Sequence, residues 1–447
     1  MFKDCRGLDL TTTSQQAATA FDHAIDGYLD YRANILARME ALLAADADFG
    51  LAHCLRGYPL MMAYRADALP AARAALAAAR RCPGSAREQA HATALVHWID
   101  GDPARAVAVW DHILRDHPHD ILAFRLAHFA AFWAGQPEAM LESALMVGRH
   151  WSAAVPGYAA ILACRCFAHE ECGDYLQAEH AGRAAIHLDP GNLWAAHGVA
   201  HVLEMTGRRR EGIAWVEGLQ ARWDGGNNLK HHLWWHQAMY HLELGDFARV
   251  LSLYDSGFRD LASPLTGAVP DLYIDMQNAA SMLYRLGRHG VDAGDRWAEL
   301  ADKAEARIGD CQSPFTVVHW MMALAATGRD AAAAAMLAGM EDFARGSTSE
   351  AALVRDVGLP VAQAVRANGQ GRHEDAVTAM RPVLGTMYRL GGSHAQQDVL
   401  EQLFLDSALK AGLEADARML LERVAGRHPV PPNRRRGYAM AADRLAA

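Results

Sequence analysis

The chain has 447 residues, 51% apolar and 21% charged, with a formal net charge of −9. This balance describes a globular protein with ample core, and it argues against nucleic-acid binding through phosphate neutralisation. No apolar run is long enough to span a bilayer and the first residues carry no apolar leader, so a cytoplasmic, non-membrane protein is expected. Seven irregularly spaced cysteines fit a reducing compartment, and 4 lysines against 39 arginines read as the bias of a GC-rich bacterial genome.

In chain order, a turn flanked by two helical patterns recurs at Ala66, Gly101, Gly135, Gly173, Gly207, Gly245, Gly287, Gly328, Gly371 and Gly412. The spacing runs from 34 residues (Gly101 to Gly135) to 43 (Gly328 to Gly371), a period that belongs to stacked helical hairpins. Each turn follows an apolar-periodic helix and precedes an Ala-rich one, as in Gly101-Asp102-Pro103 and Gly245-Asp246-Phe247. Glycine admits the positive φ that ends a helix, and the adjacent Asp can cap the next. The pattern predicts an all-α solenoid of about ten helical hairpins, each burying its apolar face against its neighbours.

Single units, most clearly around Gly173 and Gly207, resemble tetratricopeptide repeats. The whole chain resembles the tetratricopeptide repeat protein 38 family. The motifs are Asp9-Leu10-Thr11-Thr12-Thr13-Ser14, His197 with His201-Val202-Leu203-Glu204, Trp234-Trp235-His236 with His241-Leu242-Glu243, and Gly391-Gly392-Ser393-His394-Ala395-Gln396. The likeness implies one right-handed superhelical domain over residues 1–447, with residues 413–447 as its C-terminal cap, and no settled activity accompanies it. It also implies that first helices line a concave channel, with inward positions about 13, 10, 6 and 3 residues before each turn glycine.

Applied to Gly207, that register selects Trp194, His197, His201 and Glu204. On a helix, His197, His201 and Glu204 fall within about 60° of arc, a polar stripe where a packing face would be apolar. In the next hairpin His232 and His236 are four residues apart and Glu243 lies nearly beneath them, while His231 and His241 fall elsewhere. Earlier units offer His53 and Arg56, then Glu88 and His91, then Arg125; the unit before Gly287 offers Gln277, Ser281 and Tyr284. With His394, these residues describe a channel suited to a small polar or anionic ligand, or to an extended peptide.

Three readings of the histidine stripes stand side by side. They can be hydrogen-bonded structural residues between helices. They can bind a ligand or run acid–base chemistry, with His201, His236 and Glu204 as the catalytic candidates. Or His197, His201, His232 and His236 can hold a metal, although no H-E-x-x-H is present. No nucleophile elbow, Walker loop or dinucleotide fingerprint announces an enzyme.

Other features have plainer readings. Cys164, Cys166 and Cys172 with His169 read as structural, because Cys166 falls where a small residue must meet the neighbouring helix. Ser393 and Gln396 form a capping box, with His394 beside helix-terminal amides. The Met and aromatic stripe at His319-Trp320-Met321-Met322 reads as core, and the runs Arg208–Arg210 and Arg434–Arg436 as solvated surface. The leading expectation is a binding protein, with an enzyme on a small polar substrate as the alternative. Uncovered solenoid ends allow a homodimer, unless the tail after Pro429-Val430-Pro431-Pro432 folds back over one of them.

Overall fold

Eight of the ten predicted turns place a glycine in the left-handed region, with φ between +65° at Gly135 and +80° at Gly173 and Gly245. The aspartates beside them act as expected: Asp102, Asp174 and Asp246 each accept a hydrogen bond from the backbone N–H three residues on. An N-cap of this kind contributes about 1 kcal/mol. The computed structural model describes residues 2–446. Among them the only strands are Phe2–Lys3 and Asp9–Leu10, paired antiparallel, and the rest of the regular structure is helical. Successive helices pack as hairpins, among them Gly50–Met62 on Leu69–Arg81, Tyr158–Glu171 on Tyr175–Leu188, and Leu359–Gly369 on His373–Met380. The fold is an all-α helical-repeat solenoid.

Two turns depart from the predicted pattern. The helix Tyr273–Arg288 runs through Gly287, and Gly290 takes the left-handed conformation instead, at φ +73°. At the first turn Ala66 opens a short 3-10 segment, and Tyr64 carries the positive φ, at +50°.

The chain divides into two compact units, Met1–Val199 with Leu219–Lys230, and Ala200–Gly218 with His231–Ala447. In the first, the opening Thr-rich motif is structural. Thr12 and Thr13 hydroxyls donate to Asp46, at 2.6 and 3.2 Å, while Ser14 caps the helix Gln15–Leu29. The loop after that helix returns to the 224–227 segment of the same unit: Asn227 N–H donates to the Tyr31 carbonyl at 2.7 Å, and Ala33 N–H to that of Gly225 at 2.9 Å. Cys166 is fully buried with its sulfur against Gly182 and Gly198, where any Cβ would approach it to 2.7 Å. That is the small-residue helix contact predicted for it.

In the second unit, His319, Trp320, Met321 and Met322 are all buried, in agreement with their assignment to core. The basic runs depart from expectation in part: Arg210, Arg434 and Arg436 are exposed, while Arg209 and Arg435 are drawn into ion pairs. Arg209 pairs with Glu243 at 2.7 Å, Arg435 with Asp398 at 2.6 Å, and the Arg436 N–H also reaches Glu243. The buried Asp398 and the half-buried Glu243 draw Arg435 and Arg209 in, which composition alone does not reveal. Through them and the Tyr438 hydroxyl, which donates to Asp398 at 2.6 Å, the segment after Pro432 packs onto earlier helices of its own unit. No described helix is long and apolar enough to cross a membrane.

Candidate functional site in the second unit

The helices Leu193–Met205 and Leu229–Leu244 supply the centre of the site. His201 comes from the first, and His232 and His236, one turn apart, from the second; all three are at most 2% exposed. One ring nitrogen of each lies within 4.8 Å of the others. The rings meet edge to face, with centroids 4.4 Å apart for His201 and His236 and 4.8 Å for His232 and His236. Three imidazoles crowd into a space that simple packing would fill with aliphatic side chains.

Two of the rings are oriented from outside. His232 Nδ1 donates to Asn278 Oδ1 at 2.9 Å, and His236 Nδ1 lies 2.8 Å from Glu204 Oε2. An amide oxygen only accepts, so His232 is protonated at Nδ1 and turns the lone pair of Nε2 to the opposite side. Trp235 stacks on His232 with planes 9° apart, which fixes that ring further. Burial favours the neutral imidazoles. It holds His201 and His232 well below the usual histidine range and His236 at about 3, with the neighbouring rings adding to the effect on His201. Burial also pushes Glu204 up, to about 7, against the pull of Arg285.

Glu204 is shared with a cavity of about 40 Å³, lined among others by Arg285, His394, Asp398 and Arg435. That is room for a few water molecules rather than for a peptide. Arg285 is 1% exposed; its Nη2 donates to the Ala395 carbonyl at 2.8 Å, and Asp398 lies 3.6 Å away. Asp398 is held down to about 2, because Arg435 and Arg285 and the donors Tyr438 and Gln402 outweigh its burial. His394 is half-buried, and its Nδ1 has no hydrogen-bond partner among the described residues. The predicted capping box behind it is present, with Ser393 and Gln396 bonded reciprocally.

The sequence-selected residues therefore do not form one set. His201, His232, His236, Glu204 and His394 gather in the second unit. Tyr284 belongs to it too, half-buried with its hydroxyl unbonded among the described residues. The others lie in the first unit. His53 bonds the Ala47 carbonyl at 2.8 Å, and Arg56 is exposed. His91 joins Tyr58 and Asp120, which also takes Arg87 at 2.6 Å, so this buried polar group is internally satisfied. Glu88 closes a capping box with Ser85. His197 stacks on Trp194 at 4.7 Å and meets Phe167 at 5.1 Å.

Arg125 is unusual. It is 3% exposed, yet its partners are Tyr31 Oη at 2.6 Å and Cys164 Sγ at 2.9 Å, with the Tyr31 and Trp194 rings against it. No carboxylate pairs with it among the described residues. A larger cavity in this unit, about 270 Å³, is lined among others by Cys54, Arg80, Cys82 and Glu88.

Sequence reasoning missed Asn278 as a partner of His232, and it missed Arg285 and Asp398. The inward register was anchored at Gly287, whereas the helix continues to Arg288. Helical spacing from Asp275, which pairs with His231 at 3.1 Å, finds Asn278 and Arg285 on one face.

No family model matches the chain. Among solved structures it is similar to a chain of "Structure of Naa15/Naa10 bound to HypK-THB", at 12% identity and a TM-score of 0.26. The alignment covers 92% of this chain and 64% of that one. The resemblance to the tetratricopeptide repeat protein 38 family thus rests on its sequence motifs.

Proposed function

We propose that the protein is a helical-repeat binding protein whose second unit holds a small polar ligand at the Glu204, Arg285 and His394 cavity. The observation that carries this reading is the convergence of ionisable side chains on one partly enclosed space: arginines, carboxylates and histidines all reach its wall. The mixed charge suits a ligand with both donors and acceptors, and the volume favours a small molecule over a peptide. Because the division between units cuts through helices, we treat the chain as one repeat domain. Seven free cysteines support a reducing, cytoplasmic setting. A homodimer is the proposed assembly, checked by sedimentation.

The test is calorimetric titration with small carboxylates and the smallest free amino acids, repeated on His394→Gln. The half-buried His394 can change without disturbing packing, so loss of binding with an unchanged circular dichroism spectrum supports the cavity as the site. Binding that survives in this variant with undiminished affinity counts against it.

A second reading, an enzyme acting on a small polar substrate, is favoured by the contact of Glu204 with both the cavity and His236. It requires turnover of a bound ligand, and Glu204→Gln would abolish turnover while binding persists.

A further inference from the structure

We propose that His201, His232 and His236 bind one divalent transition-metal cation of the zinc class, beside the Glu204 cavity. The proposal rests on the reading of this cavity as the working site, and adds to it an ion that nothing in the ligand argument requires.

The first support is the donor set. Three imidazoles, each with a nitrogen within 4.8 Å of the others, are on adjacent helices, and two of them come from an i, i+4 pair on one face. Around a tetrahedral zinc, ligand nitrogens about 2.0–2.1 Å from the metal sit about 3.3 Å from one another. Closing onto a tetrahedral ion therefore asks for nitrogen shifts of up to about 1.5 Å. Imidazole suits zinc and its first-row neighbours, whereas calcium and magnesium demand oxygen ligands.

The second support is the outer shell. Metal-binding histidines characteristically use their other nitrogen on a carboxylate or carbonyl, which fixes tautomer and direction. His236 has Glu204 in that place, and His232 has the Asn278 amide oxygen. With Glu204 ionised, His236 donates through Nδ1 and presents Nε2 as the lone-pair nitrogen. Three protein ligands leave a coordination position for water or for a polar group of a ligand. Through it, the ion would polarise that group, and Glu204 stands where it can exchange a proton.

The experiment uses the full chain, purified without a histidine tag, stripped with a chelator and then dialysed against Zn²⁺. Elemental analysis should give one zinc per chain in the wild type, and far less in His201→Asn and His236→Gln. Circular dichroism identifies a variant that has merely unfolded. Independently of any variant, the stripped wild type should melt at a lower temperature and recover when Zn²⁺ is restored. A Co²⁺-loaded sample should show the intense ligand-field absorption of a tetrahedral site. Substoichiometric zinc in the reloaded wild type overturns the proposal, as does full retention in folded His201→Asn and His236→Gln. Zinc binding without any small-ligand heat leaves the metal site standing and removes the ligand reading. Ligand binding by a reloaded wild type that takes up no zinc does the reverse.

Discussion

Glu204 Oε2 lies 2.8 Å from Nδ1 of His236, an interaction that joins the helices Leu193–Met205 and Leu229–Leu244 at the edge of the cavity. A carboxylate in this position raises the basicity of the ring it holds. Glu204→Gln should therefore lower zinc affinity by about 10–100-fold while the fold persists. Competition with a coloured chelator measures this. An unchanged affinity would mean that Glu204 does not orient a metal ligand.

Acid should act through the buried aspartates. Asp398 is held at about 2 by Arg435 and Arg285, and Asp120 is held well below the carboxylate range despite its burial, by His91 and Arg87 and by the Ala123 N–H that it caps. A depressed folded-state pKa gives stability that is fully present above the unfolded value and is lost as pH falls towards the folded one. For Asp398 the window runs from about pH 4 down to about pH 2, and the contribution is about 2 kcal/mol. Asp398→Asn should be less stable at pH 7 by a similar amount, with the difference from wild type shrinking over that window. Chemical denaturation at several pH values checks it; a constant difference would refute the assignment.

Two glycines test the repeat register with opposite signs. A Cβ at Gly173 or at Gly287 meets nothing within 4 Å, so space does not distinguish them. Gly173 has φ +80°, whereas Gly287 lies inside a helix. Gly173→Ala should destabilise by about 1 kcal/mol, and Gly287→Ala should stabilise by about 0.5–1 kcal/mol. Equal effects in thermal melts would contradict the observed turn at Gly290.

The contrast between those two glycines also shows what the sequence discloses. Turn chemistry is local, so Gly173-Asp174 or Gly245-Asp246 announces its hairpin without reference to the rest of the chain. The histidine stripe was legible for the same reason: polar residues at helical spacing on a face expected to be apolar stand out. Arg285 and Asp398 were not legible. They are more than a hundred residues apart in sequence, and their pairing depends on how distant hairpins of the second unit stack. Arg435 was not legible for the same reason: it looks solvated, as the exposed Arg434 and Arg436 beside it are, until Asp398 is seen beneath it. His91 and Arg125 carried the same sequence signal as His236, yet the structure surrounds His91 with internal partners and Arg125 with neutral ones.

Arg125 gives a further prediction. A buried guanidinium with neutral partners retains most of its desolvation cost, offset in part by the Tyr31 and Trp194 rings. Arg125→Met preserves most of the packed volume, and should leave stability within about 1 kcal/mol of wild type or raise it. Arg125→Ala should lose about 2–4 kcal/mol through the cavity it opens. Urea denaturation separates the two. A Met variant as unstable as the Ala variant would show that the charge itself holds this core together.

X-ray absorption at the zinc edge of the reloaded protein reads the three-histidine site itself. Its first shell should contain three imidazole nitrogens at about 2.0–2.1 Å, completed by a light-atom ligand. A shell of oxygen alone, without the multiple scattering of histidine rings, would contradict it.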